Sequence, residues 1–333
     1  MSGMVMILSI MDINSNCQPF RVGFVLIDGF PLMSYASAME PLRAANLLAQ
    51  RALYEVRHIP VGSARSTSSS GALISADAFL GEQVDFDLVL VVAGSNLADQ
   101  QFPRLNNWLR LLATRGVIMG GVSGGPLLLA RAGVMEERRM TVHWDHAAAL
   151  AEVSQRLLVE RSLYVRDRDR LTCAGGTAPL DMMHTLISEH HGPVFARKIS
   201  DWFLHTDIRQ GEAPQRSGLA ERYDVVDPVA LETLEAMENH IADPLELTQL
   251  ATLAGLSVRQ LNRIFQIRLG VSTVQFYTQM RLSKAQLMLR MTALNVQDVA
   301  LATGFANGAH LSRRFRQQYG ISPTGYRESI AET

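Results

Sequence analysis

Cysteine is scarce: the 333 residues hold two, Cys17 and Cys173. Two thiols build neither a disulfide framework nor a zinc cage, and a reducing cytoplasm is the default compartment for such a chain. Long apolar runs are also missing. No stretch of about 18 uncharged apolar residues occurs, so a membrane-spanning helix is not expected. The longest, such as Leu88–Gly94, are strand-sized. The apolar stretch Met4–Ile10 has no basic flank and no clear small-residue cleavage site, so residues 1–19 read as a disordered leader, not a signal peptide. Net charge is nearly absent too, at −1.

What is present is a globular composition, 47% apolar and 19% charged. It excludes disordered, collagen-like and coiled-coil chains. At about 100–200 residues per domain, two domains are expected.

The small net charge conceals a polarity. Residues 255–327 contain ten Lys and Arg and one acidic residue, Asp298, a balance of +9; the remainder carries −10. A cationic segment of this kind favours phosphates.

Over the first 208 residues strand and helix signals alternate. Arg21–Ile27, Tyr54–Val61, Asp87–Ala93 and Gly116–Val122 read as strands, with two more inside Leu157–Ala174. Met33–Gln50, Arg104–Ala113, Thr177–His191 and Val194–Ile208 read as helices. The continuous apolar runs suit parallel strands buried on both faces. The expected fold is α/β, a doubly wound, mostly parallel, flavodoxin-like sheet over 20–208, with its ligand beyond the carboxyl ends of the strands. The polar stretch Arg209–Val226 reads as a linker. From Asp227 to residue 333 the signals are helical, giving an all-α second domain.

That domain contains an internal repeat. Leu247, Leu250, Ala251, Gly255 and Leu256 recur 49 residues later, and Leu261, Arg263, Phe265, Gly270 and Ser272 recur 50 residues later. Each copy reads as helix-turn-helix, over 245–268 and 295–318. In the first, Asp243-Pro244 is expected to open the leading helix, and Ser257 with Gln260 forms a capping box for the next. In the second, Asn295 and Asn307 start the two helices. Leu261, Ile264 and Phe265 face inward, as do Leu311 and Phe315. Arg259, Asn262, Arg263 and Gln266 are left outside in one copy; His310, Ser312, Arg313 and Arg314 are left outside in the other. Outward Arg and Asn on a helix can pair bidentately with guanine and adenine in a major groove. Two units joined by a Thr273–Arg290 helix can enter successive grooves about 34 Å apart. A protein-binding α-hairpin repeat is the alternative.

In the first domain Gly121-Val-Ser-Gly-Gly125 follows a buried strand and precedes an apolar helix, matching the G-x-S-x-G elbow of hydrolases. Ser123 is the candidate nucleophile and His143 the candidate base. A third member stays open among Asp145, His146, Asp181 and His184. The adjacent pair His190-His191 lacks ligand spacing, so neither a metal nor a cofactor is expected.

Two resemblances sharpen these readings. Val299–Arg327 resembles the signature of AraC/XylS-type transcriptional regulators, and the likeness spans about the last hundred residues. It implies double-stranded DNA with a bipartite operator as partner, read through Arg259, Asn262, Arg263, Asn307, His310 and Arg313, with Arg314 and Arg316 on phosphates. Gly308 and Ala309 are small where many members carry longer side chains, which shifts the second unit towards holding the backbone. Residues 20–208 resemble the class I glutamine amidotransferase-like superfamily, in its PfpI-like branch. Asp28-Gly29, Glu40, Val92–Leu97, the elbow and Thr141-Val-His-Trp144 carry that likeness. The catalytic positions become Ser123, His143 and Glu40, with serine where catalytic members have cysteine.

The resemblance thus implies a pocket without a catalytic residue. Glu40 would face an ammonium, while backbone N–H groups around Gly94, Ser95, Ser123 and Gly124 would hold a carboxylate, with His143 also in the pocket. Trp144 and Trp202 would offer aromatic faces. Regulators similar over both domains commonly activate catabolic operons, including those for arginine, glycine betaine and carnitine. The implied protein is a cytoplasmic, homodimeric activator that senses a small zwitterion and works with RNA polymerase. The competing reading is a serine hydrolase or amidase that also binds DNA.

Overall fold

The computed structural model describes residues 18–331 apart from 83–84, 95–96, 98–99 and 155. The leader lies outside these residues as far as 17, and so does Ser95. Among the described residues ten strands run in chain order: β1 Phe20–Leu26, β2 Tyr54–Pro60, β3 Arg65–Thr67, β4 Leu73–Ser75, β5 Leu88–Ala93, β6 Ile118–Ser123, β7 Arg139–Thr141, β8 Leu158–Glu160, β9 Tyr164–Asp167 and β10 Arg170–Cys173. Six form the main sheet in the order β2-β1-β5-β6-β10-β9, parallel except for the edge pair β10/β9. Every residue of β5 is buried, as a central parallel strand covered on both faces requires.

Helices cover both faces. On one side pack α1 (Leu32–Ala49), and later in the chain α5 (Ala178–His191) and α6 (Pro193–Trp202), around Phe24, Leu42, Leu90 and Met183. On the other pack α2 (Pro103–Thr114), α3 (Gly125–Arg131) and the short α4 (Ala147–Ala151), around Val91, Leu105, Leu128 and Met140. The helix expected over Val194–Ile208 stops at Trp202. Leu204 adopts a left-handed φ of 55°, which no continuing α-helix tolerates.

The stretch after α6 is laid along this domain. Asp181, fully buried, accepts from His205 Nε2 (2.8 Å) and from Arg209 Nε (3.0 Å) and Nη2 (2.6 Å). Further along, Gln215 Nε2 donates to Thr141 Oγ1 (3.0 Å), Val142 O (3.0 Å) and Ser162 O (2.8 Å).

The C-terminal domain follows with α7 (Leu219–Tyr223), α8 (Pro228–Asn239), α9 (Leu247–Leu253), α10 (Val258–Leu269), α11 (Thr273–Met291), α12 (Val296–Ala302), α13 (Gly308–Tyr319) and α14 (Pro323–Ala331). Helices α9/α10 and α12/α13 are the two helix-turn-helix units. Phe265 and Phe315, fifty residues apart, are both fully buried at matching places in two separate small cores. The long α11 contributes to both. Asp243-Pro244 does not open α9. Glu246 caps it, in a reciprocal box with Gln249. The repeat register points to that position, because Glu246 matches Asn295, the cap of α12.

Pro244 instead packs against the other unit. A Cβ placed on Gly304 would lie 2.6 Å from Pro244 Cδ and 2.7 Å from the Ile241 carbonyl, and Gly304 has φ +71°. Arg281 ties the same turn to α11, donating from Nε to Thr303 O (2.8 Å) and from Nη2 to Gly304 O. Gly270 has a similar φ, +75°, but open space around it. Gly270→Ala should therefore cost only the left-handed penalty, about 1–2 kcal/mol. Gly304→Ala should cost about 1–3 kcal/mol more, through the clash with Pro244. Urea unfolding of the two variants measures the gap, and equal losses would remove the inter-unit contact from the account.

Candidate functional site

Four strand ends meet at the carboxyl edge of the main sheet, and their backbones touch. A Cβ on Gly94 would collide with the Gly29 carbonyl; one on Gly124 would lie 2.8 Å from the Gly94 carbonyl. One on Gly175 would lie 2.8 Å from Ser123 Cβ and 2.9 Å from Ser34 Oγ. The loops after β1, β5, β6 and β10 thus converge on Ser123. Ser123 itself has φ +60° and is 6% exposed. A left-handed serine between strand and helix is the strained geometry of a nucleophile elbow, and such strain concentrates at functional positions. Of the residues expected here, Gly94, Ser123 and Gly124 are brought together.

The histidines arrive on the next segment. The His143 backbone N–H donates to Ser123 O (3.2 Å), bringing this segment's backbone to the elbow. Its Nδ1 accepts from the Asp145 N–H (3.3 Å) and caps the 3-10 turn Trp144–His146. That nitrogen is therefore unprotonated. Burial pushes the His143 pKa down, Asp145 opposes the shift, and Arg290 reinforces it. His146, which sequence reasoning left as one of four open choices, packs its Nε2 against Gly124. It is buried, and its pKa is driven down to about 3 by burial and then by the charges of His143, Arg290 and Arg131. Among the described residues no hydrogen bond joins Ser123 Oγ to either imidazole.

Glu40 sits half-buried on α1, and its carboxylate accepts from Arg43 Nε (2.7 Å), one turn later. The Trp144 ring carries the Arg216 guanidinium 4.5 Å above its centroid. Trp202 is exposed at the end of α6. Asp181 serves the 205–209 segment, and His184 bonds Ser200 Oγ (2.8 Å), so neither joins the elbow.

In the second domain the outward residues divide in two. Arg259, Arg263 and Arg313 are exposed, and the last two occupy matching places on α10 and α13. Arg314 is half-buried and reaches Gln317 Oε1 (3.4 Å). The other candidates have structural duties. Asn262 Oδ1 accepts from the Thr273 N–H (3.1 Å), capping α11. Asn307 caps α13 by accepting from the His310 N–H (2.8 Å). The His310 ring stands edge-on to Phe305, centroids 5.4 Å apart. Sequence reasoning missed the glutamine-rich cleft between the units, where Gln275, Gln279, Gln317 and Gln318 line the space between α11 and α13 beside Arg314.

Comparison with known proteins agrees with both halves. A model described as the DJ-1/PfpI family matches residues 21–189, and one described as a helix-turn-helix domain matches residues 250–329. The HTH-type transcriptional regulator GlxA of Rhizobium meliloti is 41% identical over 92% of this chain and 95% of its own. The regulators CdhR and GbdR of Pseudomonas aeruginosa are 36% and 34% identical, over 90% and 94% of this chain and 89% and 85% of theirs. Among solved structures, an AraC family transcriptional regulator from Pseudomonas putida matches 56% of this chain and 100% of its own, at 27% identity and a TM-score of 0.52. A THiJ/PfpI family protein from Pseudomonas syringae shares the fold over 76% of this chain and 98% of its own, with a TM-score of 0.54 at 19% identity.

The buried histidine sets a pH dependence. An unfolded His146 takes up its proton near pH 6.5, whereas the folded one stays neutral down to about 3. Its contribution to stability is complete above pH 6.5 and is lost as pH falls through that window, at up to about 1.4 kcal/mol per unit. Melting temperatures between pH 7 and 4 should fall less steeply for His146→Gln than for the parent; parallel slopes would show that His146 protonates freely in the fold.

Proposed function

The chain belongs to the DJ-1/PfpI family through its N-terminal domain and to the HTH-type transcriptional regulators over most of its length, and from that premise we propose that it is a ligand-gated regulator. It is a DNA-binding transcriptional regulator of the AraC type. Beyond that, our reading is that the Ser123 pocket binds a small zwitterion, an amino acid or a quaternary amine, without turning it over, and that the bound form activates a catabolic operon. The regulator would act in the cytoplasm, as a homodimer, with RNA polymerase. Among the described residues no helix is long and apolar enough to cross a membrane.

One observation carries the sensor reading. The only nitrogen with which His143 could accept a proton in its present tautomer, Nδ1, is spent on the Asp145 N–H. A general base needs that lone pair for the nucleophile. What remains is a donor: the Nε2–H of a neutral imidazole beside a helix start, suited to a carboxylate that needs no bond broken. Glu40 completes the zwitterion site if its carboxylate leaves Arg43 for the ligand's cation. The left-handed Ser123 favours the second reading, a serine hydrolase. Hydrolysis of activated esters by the parent, lost in Ser123→Ala, would establish that reading.

On the DNA side, Arg263 and Arg313 are the base readers and Arg259 supports the first. Asn262 and Asn307 retain only the amide donors that their capping bonds leave over, and the His310 ring stands edge-on to Phe305. The cleft between the units, polar and flanked by Arg314, suits the sugar–phosphate run between two grooves.

Two outcomes are expected. Arg263→Ala and Arg313→Ala should each weaken binding to a selected operator by about 1–3 kcal/mol while changing random-duplex binding less; equal losses on both duplexes would make them phosphate contacts. In a thermal-shift screen of the full chain against amino acids and quaternary amines, a true ligand must raise the melting temperature. That rise should vanish in Glu40→Ala, and its persistence would take Glu40 out of the site.

A further inference from the structure

The turn that builds the pocket also docks the DNA-binding domain. The His143 backbone is bonded to Ser123 O, and His146 Nε2 lies against Gly124. Between them, Asp145 Oδ2 accepts from Arg290 Nη2 of α11 at 2.8 Å, across 145 residues of sequence. One turn later, Ala148 packs against the core of the second helix-turn-helix unit, and α11 lies against both the 3-10 turn and α4. The chain between the domains crosses the same place. Gln215 is bonded to Thr141 and Val142 just before His143, and Arg216 lies on Trp144.

This junction is incompletely satisfied. Asp145 Oδ1 and Arg290 Nε are both buried and find no hydrogen-bond partner among the described residues. The pair makes one bond where a bidentate fork would make two. Lys284, also on α11, is largely buried; burial and the neighbouring Arg161 and Arg216 disfavour its charge, while Asp145 and Glu238 favour it. Asp145 is thus shared between Arg290 and Lys284. Such a contact tips easily, as a switch must and a structural staple must not.

We propose that the Trp144–Ala151 segment is the relay between pocket and DNA, with the Asp145–Arg290 pair as the contact it makes or breaks. The inference rests on the Ser123 pocket being a ligand site and names how that site is read out. A carboxylate bound at His143 favours the imidazolium, whose Nδ1 carries a proton and no longer accepts the Asp145 N–H. The groups that bear on this ring are Asp145, Arg290 and His146. Losing its cap, the turn shifts Asp145 and Arg290 lets go. Release raises DNA affinity, because the docked state neutralises Arg290 and ties α11, the helix that joins the two reading units, to the N-terminal domain.

The test uses the full chain and a duplex selected by that chain from a random pool. Asp145→Asn and Arg290→Met should each tighten duplex binding by about fivefold or more, and the double variant should gain no more than either alone. Singles within twofold of the parent would overturn the proposal, and so would fully additive gains. Gly124→Ala then presses from the pocket side, since its Cβ would lie 3.0 Å from His146 Nε2. It should tighten binding in the parent and do nothing in Arg290→Met. Should it fail to fold, hydrogen exchange of residues 143–151 in the parent gives the same answer: protection falls on adding duplex if the domains separate, and unchanged protection refutes the relay. A silent Gly124→Ala beside a ligand-induced rise in melting temperature refutes the relay and leaves the pocket reading standing. Tightening in Asp145→Asn with no ligand in the thermal screen does the reverse.

Discussion

Backbone crowding at one sheet edge is the constraint from which the rest of this molecule follows. Three successive loops press carbonyl against α-carbon at Gly29, Gly94 and Gly124, and the helix after the elbow begins with Gly125 jammed onto the Val91 carbonyl. No side chain fits there. The chain must therefore reverse within two residues, and Ser123 absorbs the reversal in a left-handed conformation. That places backbone donors and two histidines around one small space, with two hydrophobic layers fixing the sheet beneath it. Burial then decides the chemistry. It keeps both imidazoles neutral, so the space offers hydrogen bonds more readily than proton transfer.

The second domain solves a different problem with a duplicated part. Each unit is too small to hold a large core, and each closes around a fully buried phenylalanine, Phe265 or Phe315. The units are joined by α11, by Arg281 reaching into the second turn, and by Pro244 set against Gly304. Rigidity between the units is what lets two helices address one duplex in register. The basic residues share this labour. Arg327 Nη2 bonds Leu294 O (2.7 Å) and Arg281 bonds Thr303 O, while Arg259, Arg263 and Arg313 stay exposed. The formal +9 therefore overstates what is offered to phosphates.

Much of this was legible from the residues alone. The buried parallel strands, the elbow and the 49- to 50-residue repeat follow from patterns that local physics enforces within a few residues. The places where the reading fell short share a cause. Asn262 looks outward by helical period, yet it accepts from a backbone N–H on the next helix; Asn307, expected at the start of α13, does cap it, and that bond takes the oxygen it would have offered to a base. Glu40 is drawn to Arg43 by a helical spacing that the sequence does contain. The end of α6 at Leu204, the capping of α9 by Glu246 and the junction at Asp145 depend on how separate segments pack. Of these, only the α9 cap left a trace, in the register of the repeat.

The two copies are not interchangeable, and one atom explains it. In the first, the Thr273 N–H needs an acceptor, and Asn262 supplies it. Fifty residues on, Pro323 has no N–H to satisfy, and Ser312 stands where the asparagine was. The duplication has thus drifted into a division of duties: the first reading helix spends an amide on its own scaffold, while the second is relieved of that debt by an imino acid. A hybrid carrying the later reading helix in the earlier position would inherit an orphaned donor at the head of its longest helix.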